Sequence, residues 1–273
     1  MSCADGWRPR LVALDVDGTL LEPEGTIQGP VLDAVSRAAR AGAHIVLATG
    51  RSADETALVF AELALTAGYA VCSNGAATVM HPGMTILDTM TFDARDVVRL
   101  VLREMSSALV AVEEPGAGYG VTGYFPDGEL LGSQRLRALE DMLERPVTRV
   151  VVRDVGDTVE RFAERVAALG IRGVSYAVGY RAWLDLGPEG VSKATALAKL
   201  AATLGIEAAD CLAIGDGRND VEMLTWAGRG VAMGQAPEEV RAAADAVTGS
   251  VFAHGAATEL DRWFGPGEER MPC

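Results

Sequence analysis

Short uninterrupted apolar runs alternate with stretches in which apolar residues recur every three or four positions, and this alternation sets the expected fold. Leu11–Leu14, His44–Ala48 and Ala70–Cys72 are too short for helices and continuous enough for strands buried on both faces. Between the first two, Val31, Leu32, Val35 and Ala38–Ala39 keep helical spacing, and Gly42 supplies a stop. Strands alternating with helices predict an α/β fold, a parallel sheet with helices packed on its faces.

From about Asp88 to Gly187 the pattern changes. A helix is expected over Asp93–Ser106, then strands at Leu109–Glu113 and Tyr119–Tyr124, a helix near Ser133–Glu144 and a strand at Arg149–Val152. A helix at Thr158–Leu169 follows, then strands Val174–Val178 and Arg181–Leu186, joined through Gly179-Tyr180 as a hairpin. Paired strands with short connections predict an antiparallel sheet forming a separate layer. The expected division is a core built from 1–87 and 188–273, with 88–187 inserted into it. After Gly187 the first pattern returns: a helix Lys193–Leu204, N-capped by Ser192 and ended by Gly205, then a buried strand Cys211–Ile214. The tail beyond Phe264 is polar and rich in Gly and Pro, so fraying is expected there.

Four of these strands run out into polar residues: Asp15 and Asp17 after the first, Thr49-Gly50-Arg51 after the second, Ser73-Asn74-Gly75 after the third, and Gly215-Asp216-Gly217-Arg218-Asn219-Asp220 after the fourth. In an open parallel sheet the carboxyl ends of the strands share one rim, where ligands bind. Residues far apart in sequence are therefore expected to converge. Asp15 and Asp17, one residue apart and pinned by Leu20 and Leu21, repel unless a cation sits between them. A calcium loop does not fit, because its glycine and glutamate positions hold Leu20 and Thr26.

Composition narrows the partners. The 273 residues carry a net charge of −14, which opposes nucleic acid and anionic membranes but admits a small phosphorylated metabolite once a cation reverses the local field. Cys3, Cys72, Cys211 and Cys273 are scattered without ligand spacing, which with the absence of a signal-like or membrane-spanning run leads to an expected cytoplasmic location. His44, His81 and His254 share no ligand spacing, and neither a GxSxG elbow nor a GxxxxGK[ST] loop is present. Of 24 basic residues only Lys193 and Lys199 are lysines. Lys193 opens a helix, where the backbone dipole disfavours a cation unless an anion is nearby. Lys199 is expected to be solvated.

Together these residues resemble the haloacid dehalogenase-like superfamily, and specifically its Cof-type phosphatases. DVDGTLL at 15–21 is similar to the first motif, TGR at 49–51 to the second, Lys193 within GPEGVSK at 187–193 to the third, and GDGRND at 215–220 to the fourth. SNGA at 73–76 and GVAMGQAPEEVRAAADAVT at 230–248 also resemble the subfamily, while Ala194 stands where many relatives have glycine. The resemblance implies a Rossmann-like parallel core with an inserted α+β cap of type 2B. It implies a Mg²⁺-dependent phosphatase for a sugar phosphate, FMN or pyridoxal phosphate, acting through an aspartyl-phosphate. In that scheme Asp15 is the nucleophile and Asp17 the acid/base. Asp15, the carbonyl of Asp17, and Asp216 hold the metal. Val16, Thr49, Gly50, Lys193 and Asn219 hold the phosphoryl group, and Asp220 braces the metal site from behind.

The role of Arg51 stays open between packing and chemistry, and cap residues such as Tyr119, Tyr124 and Asp127 are candidates without discrimination. A homodimer is compatible with the resemblance. Two other functions are carried alongside. One is a phosphomutase with the same centre; the other is a phospho-accepting regulatory module, against which Asp17 argues.

Overall fold

The structure is a computed structural model, described for residues 7–179 and 181–265. In chain order its strands are β1 (Leu11–Leu14), β2 (His44–Ala48), β3 (Gly68–Cys72), β4 (Ala77–His81), β5 (Thr85–Thr89), β6 (Leu109–Glu114) and β7 (Gly118–Val121). They continue with β8 (Gln134–Leu136), β9 (Val150–Arg153), β10 (Val174–Val178), β11 (Trp183–Pro188), β12 (Cys211–Gly215), β13 (Arg229–Ala232) and β14 (Ala246–Val247).

Two sheets result. The first is eight-stranded, in the order β14-β13-β12-β1-β2-β3-β4-β5. From β14 to β3 every pairing is parallel, whereas β4 and β5 turn back antiparallel and extend one edge. β1 lies in the middle, paired with β12 on one side and β2 on the other. Its side chains alternate between two apolar layers. Val12 and Leu14 pack among Val31, Val35, Leu260 and Phe264, contributed by the helices Gly29–Arg40 and Gly255–Phe264. Leu11 and Ala13 face Leu197, Leu200, Met223 and Val240 on the opposite side. A strand covered on both faces has no need of polar alternation, which is why it reads as an unbroken apolar run.

The second sheet is six-stranded, in the order β10-β11-β9-β6-β7-β8, and antiparallel except between β7 and β8. One face carries Val110, Val112, Val150, Val152, Leu184 and Leu186, packed on Val98, Val101, Phe162 and Val166 of the helices Arg95–Glu104 and Val159–Ala168. The opposite face bears Glu113, Tyr119, Arg149, Arg153, Trp183 and Asp185, as the strand register requires. The parallel core with an inserted α+β layer is thus present.

Several local expectations change. The helix expected near Ser133–Glu144 is instead β8 followed by a single turn, Leu139–Met142. The physical reason is the alternation of Arg135 and Arg137, both of which reach Glu114 across the strands. Gly118 also lets β7 approach so closely that Tyr119 N–H donates to the Ser133 carbonyl at 2.8 Å. The strand expected to continue to Tyr124 stops at Val121. The first sheet includes β5 through Thr89, two residues beyond the expected limit of the core segment at 87. The β10–β11 hairpin forms as expected, with Tyr180 of its turn outside the described residues. Cys3, Cys273 and the tail from 266 onward also lie outside them. Among the described residues, no helix is long and apolar enough to cross a membrane.

Candidate active site

Because β1, β2, β3 and β12 run parallel, their carboxyl ends open on one rim, and the residues that follow them meet there. Asp15 follows β1 directly, fixed by its N–H donating to the Ile214 carbonyl at 2.9 Å, and is 5% exposed. The chain then turns sharply: Val16 is buried, and its carbonyl accepts the N–H groups of Leu20 and Leu21. Gly18 adopts φ +83°, and a Cβ there would collide with the Asp216 carboxylate. Only glycine lets this loop sit against the acid.

Lys193 arrives from the other side of the insertion. It opens the helix Lys193–Thr203, whose N-cap Ser192 accepts from Thr195 N–H while the Thr195 hydroxyl accepts from Ser192 N–H. Its side chain is fully buried, with Nζ 2.6 Å from Asp15 Oδ1 and 2.6 Å from Asp220 Oδ1. Burial alone would depress the ammonium pKa, but the two carboxylates more than offset it and hold it above the ordinary lysine value. The helix-start cation inferred from sequence is therefore a buried one bound to anions. Lys199 is largely exposed, as expected, and pairs with Asp88 at 2.6 Å.

Asp220 is saturated: Oδ1 takes Lys193, and Oδ2 accepts the N–H groups of Asp216 at 3.0 Å and Gly217 at 2.8 Å. It locks the 215–220 turn into shape. Asp15 has one oxygen, Oδ2, that is buried and without a partner. One carboxylate oxygen from each of Asp15, Asp216 and Asp220 lies within 4.8 Å of the others. Burial, followed by repulsion from Asp220, raises the Asp15 pKa to about 7, and burial with repulsion from Asp15 raises that of Asp216 to about 6. Crowded, desolvated acids with an orphaned oxygen fit a hard divalent cation, which relieves both the repulsion and the missing contact.

The remaining residues line the same rim. Thr49 is buried, its hydroxyl accepting Arg51 N–H at 3.1 Å and its carbonyl accepting Asn74 N–H at 3.0 Å. Gly50 packs on the Asn74 side chain, whose Oδ1 accepts from Asn219 Nδ2 at 2.9 Å. Asp17 is the exception to the convergence of acids. Its side chain is 59% exposed and turned into a two-pronged pair with Arg51, Nε to Oδ2 at 2.9 Å and Nη2 to Oδ1 at 2.6 Å. That pair is what the structure shows for Arg51: its guanidinium is engaged by the Asp17 carboxylate.

Two participants were not legible in the sequence. Gln235 donates from Nε2 to the Gly18 carbonyl at 2.6 Å and to Asp216 Oδ2 at 3.1 Å, and its own Oε1 accepts Val251 N–H at 3.0 Å. Glu113 comes from the second sheet: it is 3% exposed and accepts the Ser73 hydroxyl at 2.6 Å across the gap between the sheets. The only trace of Gln235 in the sequence is its place within the 230–248 stretch. Glu113 read simply as the end of a strand.

Comparison with known proteins agrees with this geometry. The family model of haloacid dehalogenase-like hydrolases matches residues 12–112 and 131–260. A phosphoglycolate phosphatase of Natronomonas pharaonis is 31% identical over 252 residues, covering 92% of this chain and 96% of that protein. The 5-amino-6-(5-phospho-D-ribitylamino)uracil phosphatase YitU of Bacillus subtilis is 27% identical, covering 94% and 98%. Among solved structures, a phosphatase of the same superfamily from Bacteroides thetaiotaomicron superposes with a TM-score of 0.78 at 27% identity, covering 96% and 98%. With both flanks of the insertion matched and the four strand ends meeting on one rim, the chain belongs to the haloacid dehalogenase-like hydrolases.

Proposed function

We infer that the protein is a Mg²⁺-dependent phosphatase that hydrolyses a small phosphorylated metabolite of the sugar phosphate, FMN or pyridoxal phosphate class. The observation that carries this reading is the buried Lys193 bridging Asp15 and Asp220 beside an Asp15 oxygen without a partner. An acid so placed is either protonated or matched by a second cation, and only the ionised form is a nucleophile.

Asp15, the Asp17 carbonyl and Asp216 would hold Mg²⁺, which supplies charge neutralisation at the phosphoryl group and keeps Asp15 ionised. Asp15 attacks phosphorus, and the bond from phosphorus to the leaving oxygen breaks as Asp17 delivers a proton to that oxygen. Water then attacks the aspartyl-phosphate, Asp17 takes its proton, and inorganic phosphate leaves with Asp15 restored. Lys193, Thr49, Gly50, the Val16 N–H and Asn219 hold the phosphoryl oxygens while charge spreads over them. Asp220 keeps Lys193 and the 215–220 turn in place. Arg51 holds the ionised Asp17 at the mouth of the site and must release it for proton transfer, and the second sheet roofs the site against water.

The test is phosphate release from a panel of esters with Mg²⁺ and with EDTA, using the native protein and Asp15→Asn. Release that requires Mg²⁺ and disappears in the variant supports the assignment. Undiminished turnover by Asp15→Asn refutes it.

A further inference from the structure

Four strands border the two sheets, β14 and β5 on the first and β10 and β8 on the second. A border strand leaves one row of backbone N–H and C=O groups unpaired, a template for another strand unless something guards it. Three of the four are guarded. β14 is only two residues long. β8 has three, and Arg135 within it is tied to Glu114. β5 shifts register opposite Thr78 and Val79 and carries Asp88, which is paired with Lys199.

β10 has none of these devices. Its five residues, Val174-Ser175-Tyr176-Ala177-Val178, hold no charge and no proline, and their pairing with β11 runs without a register shift. The N–H of Gly179 donates to the Trp183 carbonyl at 2.8 Å, so by the alternation of an antiparallel ladder Ala177 and Ser175 direct their backbone groups at β11. Val174, Tyr176 and Val178 therefore turn theirs outward. Pro188, which has no N–H to give, stands opposite Val174 in keeping with that alternation. These three residues share a sheet face with Leu184 and Leu186, the face packed on the helices. Val174 borders that apolar layer, while Tyr176 is 46% exposed and Val178 37% exposed. The second core thus runs out to an open apolar margin along a strand whose backbone is also unpaired among the described residues.

Charge selects the occupant. At −14 per chain, most approaches between two copies bring acid against acid. Between Gly170 and Ala182 the charged residues are Arg172 and Arg181 alone; Arg181 shares Glu129 with Arg153, and Arg172 is exposed beyond the strand, where solvent screens it. β10 is a strip without acids, on which two copies meet free of that repulsion. An antiparallel pair centred on Tyr176 matches outward groups to outward groups along the whole strand. It sets Tyr176 against Tyr176 of the second copy and Val174 against Val178, a ladder that reads the same from either chain. We propose that β10 is a self-association surface, through which two copies of this chain pair about Tyr176 and join their second sheets edge to edge. No residue of the candidate active site belongs to β10, so this inference stands apart from the phosphatase reading. A joint of five residues a side, about 17 Å long, makes a weak and concentration-dependent dimer.

The test is sedimentation velocity of the full chain over about a hundredfold range of concentration, with a shift from monomer to dimer expected. Tyr176→Lys sets two ammonium groups opposite each other and should weaken the association by at least about tenfold. Leu87→Lys, on the exposed β5 border, should leave it unchanged. A chain that stays monomeric throughout overturns the proposal, whether the edge is then left to solvent or to an extended segment of another protein. So does a dimer that Tyr176→Lys leaves intact. If that variant does not fold, Tyr176→Cys decides: opposed Cα atoms in such a pair lie about 5.5 Å apart, within disulfide reach. Mild oxidation should then crosslink two copies beyond the level of the native chain with its own four cysteines, and crosslinking no greater than native overturns the proposal.

Discussion

Lys193 Nζ lies 2.6 Å from Asp15 Oδ1, although 178 positions separate the two residues in the chain. Both are buried, so neither charge is tolerable without the other. Lys193→Met leaves Asp15 and Asp220 facing each other without a cation and is expected to lower stability by about 3–5 kcal/mol, with loss of activity. Adding Asp15→Asn should recover part of that loss. Denaturant unfolding of the two single variants and the double variant measures the coupling, and simple additivity would show that the pair does not interact.

Magnesium should stabilise the folded protein through the same acids. At a concentration about 100 times its dissociation constant, a ligand that binds only the folded state adds about 2.7 kcal/mol. A rise in Tm on adding Mg²⁺, reversed by EDTA and absent in Asp216→Asn, is the expected outcome. A rise of equal size in that variant would place the ion elsewhere.

Asp17 is exposed and tethered to Arg51, and the acid/base role proposed for it can be tested directly. Asp17→Asn should reduce turnover of alkyl phosphates by about 10²–10⁴-fold. It should spare p-nitrophenyl phosphate far more, because that leaving group needs little protonation. Equal losses on both esters would remove Asp17 from the acid/base role.

Glu113 gives stability a pH dependence. Burial raises its pKa above the ordinary value of 4.5, against the opposing pull of Arg149 and the Ser73 hydroxyl. Above pH 4.5 the unfolded chain releases this proton while the folded one keeps it, so stability falls with rising pH until the folded group also ionises. Glu113→Gln keeps an acceptor for Ser73 and removes the titration. Its stability relative to the native protein should therefore grow with pH from about 4.5 upward and then level off. A difference independent of pH would show that Glu113 ionises equally in both states.

Much of this was legible in the sequence, for physical reasons that also explain what was not. β1, and β2 from Ile45 onward, are legible because a strand buried on both faces must be apolar throughout. The helix Lys193–Thr203 was announced by Ser192 at its start. The segment 133–144 misled because its arginines and leucines fit a helical face equally well. Their true partner, Glu114, lies two strands away, and no local pattern reports that. The β4–β5 extension went unread because its outer strand exposes Ile86 and Leu87, blurring the usual alternation. Residues directly after the strands could be placed on the common rim from their position, their roles being what the resemblance implies. Gln235 and Glu113 could not, since each contributes through a contact made only when distant segments close on one another.

The detour of the chain through its second sheet has a consequence for biosynthesis. Asp15 is translated early, whereas the ammonium that neutralises it and the turn that steadies that ammonium appear only after the whole roof has been made. A nascent polypeptide halted before Lys193 therefore has Asp15 without the ammonium that neutralises it. The rim is complete only once still later residues have joined it, Gln235 against Gly18 and Asp216 and the helix Gly255–Phe264 against the first core layer.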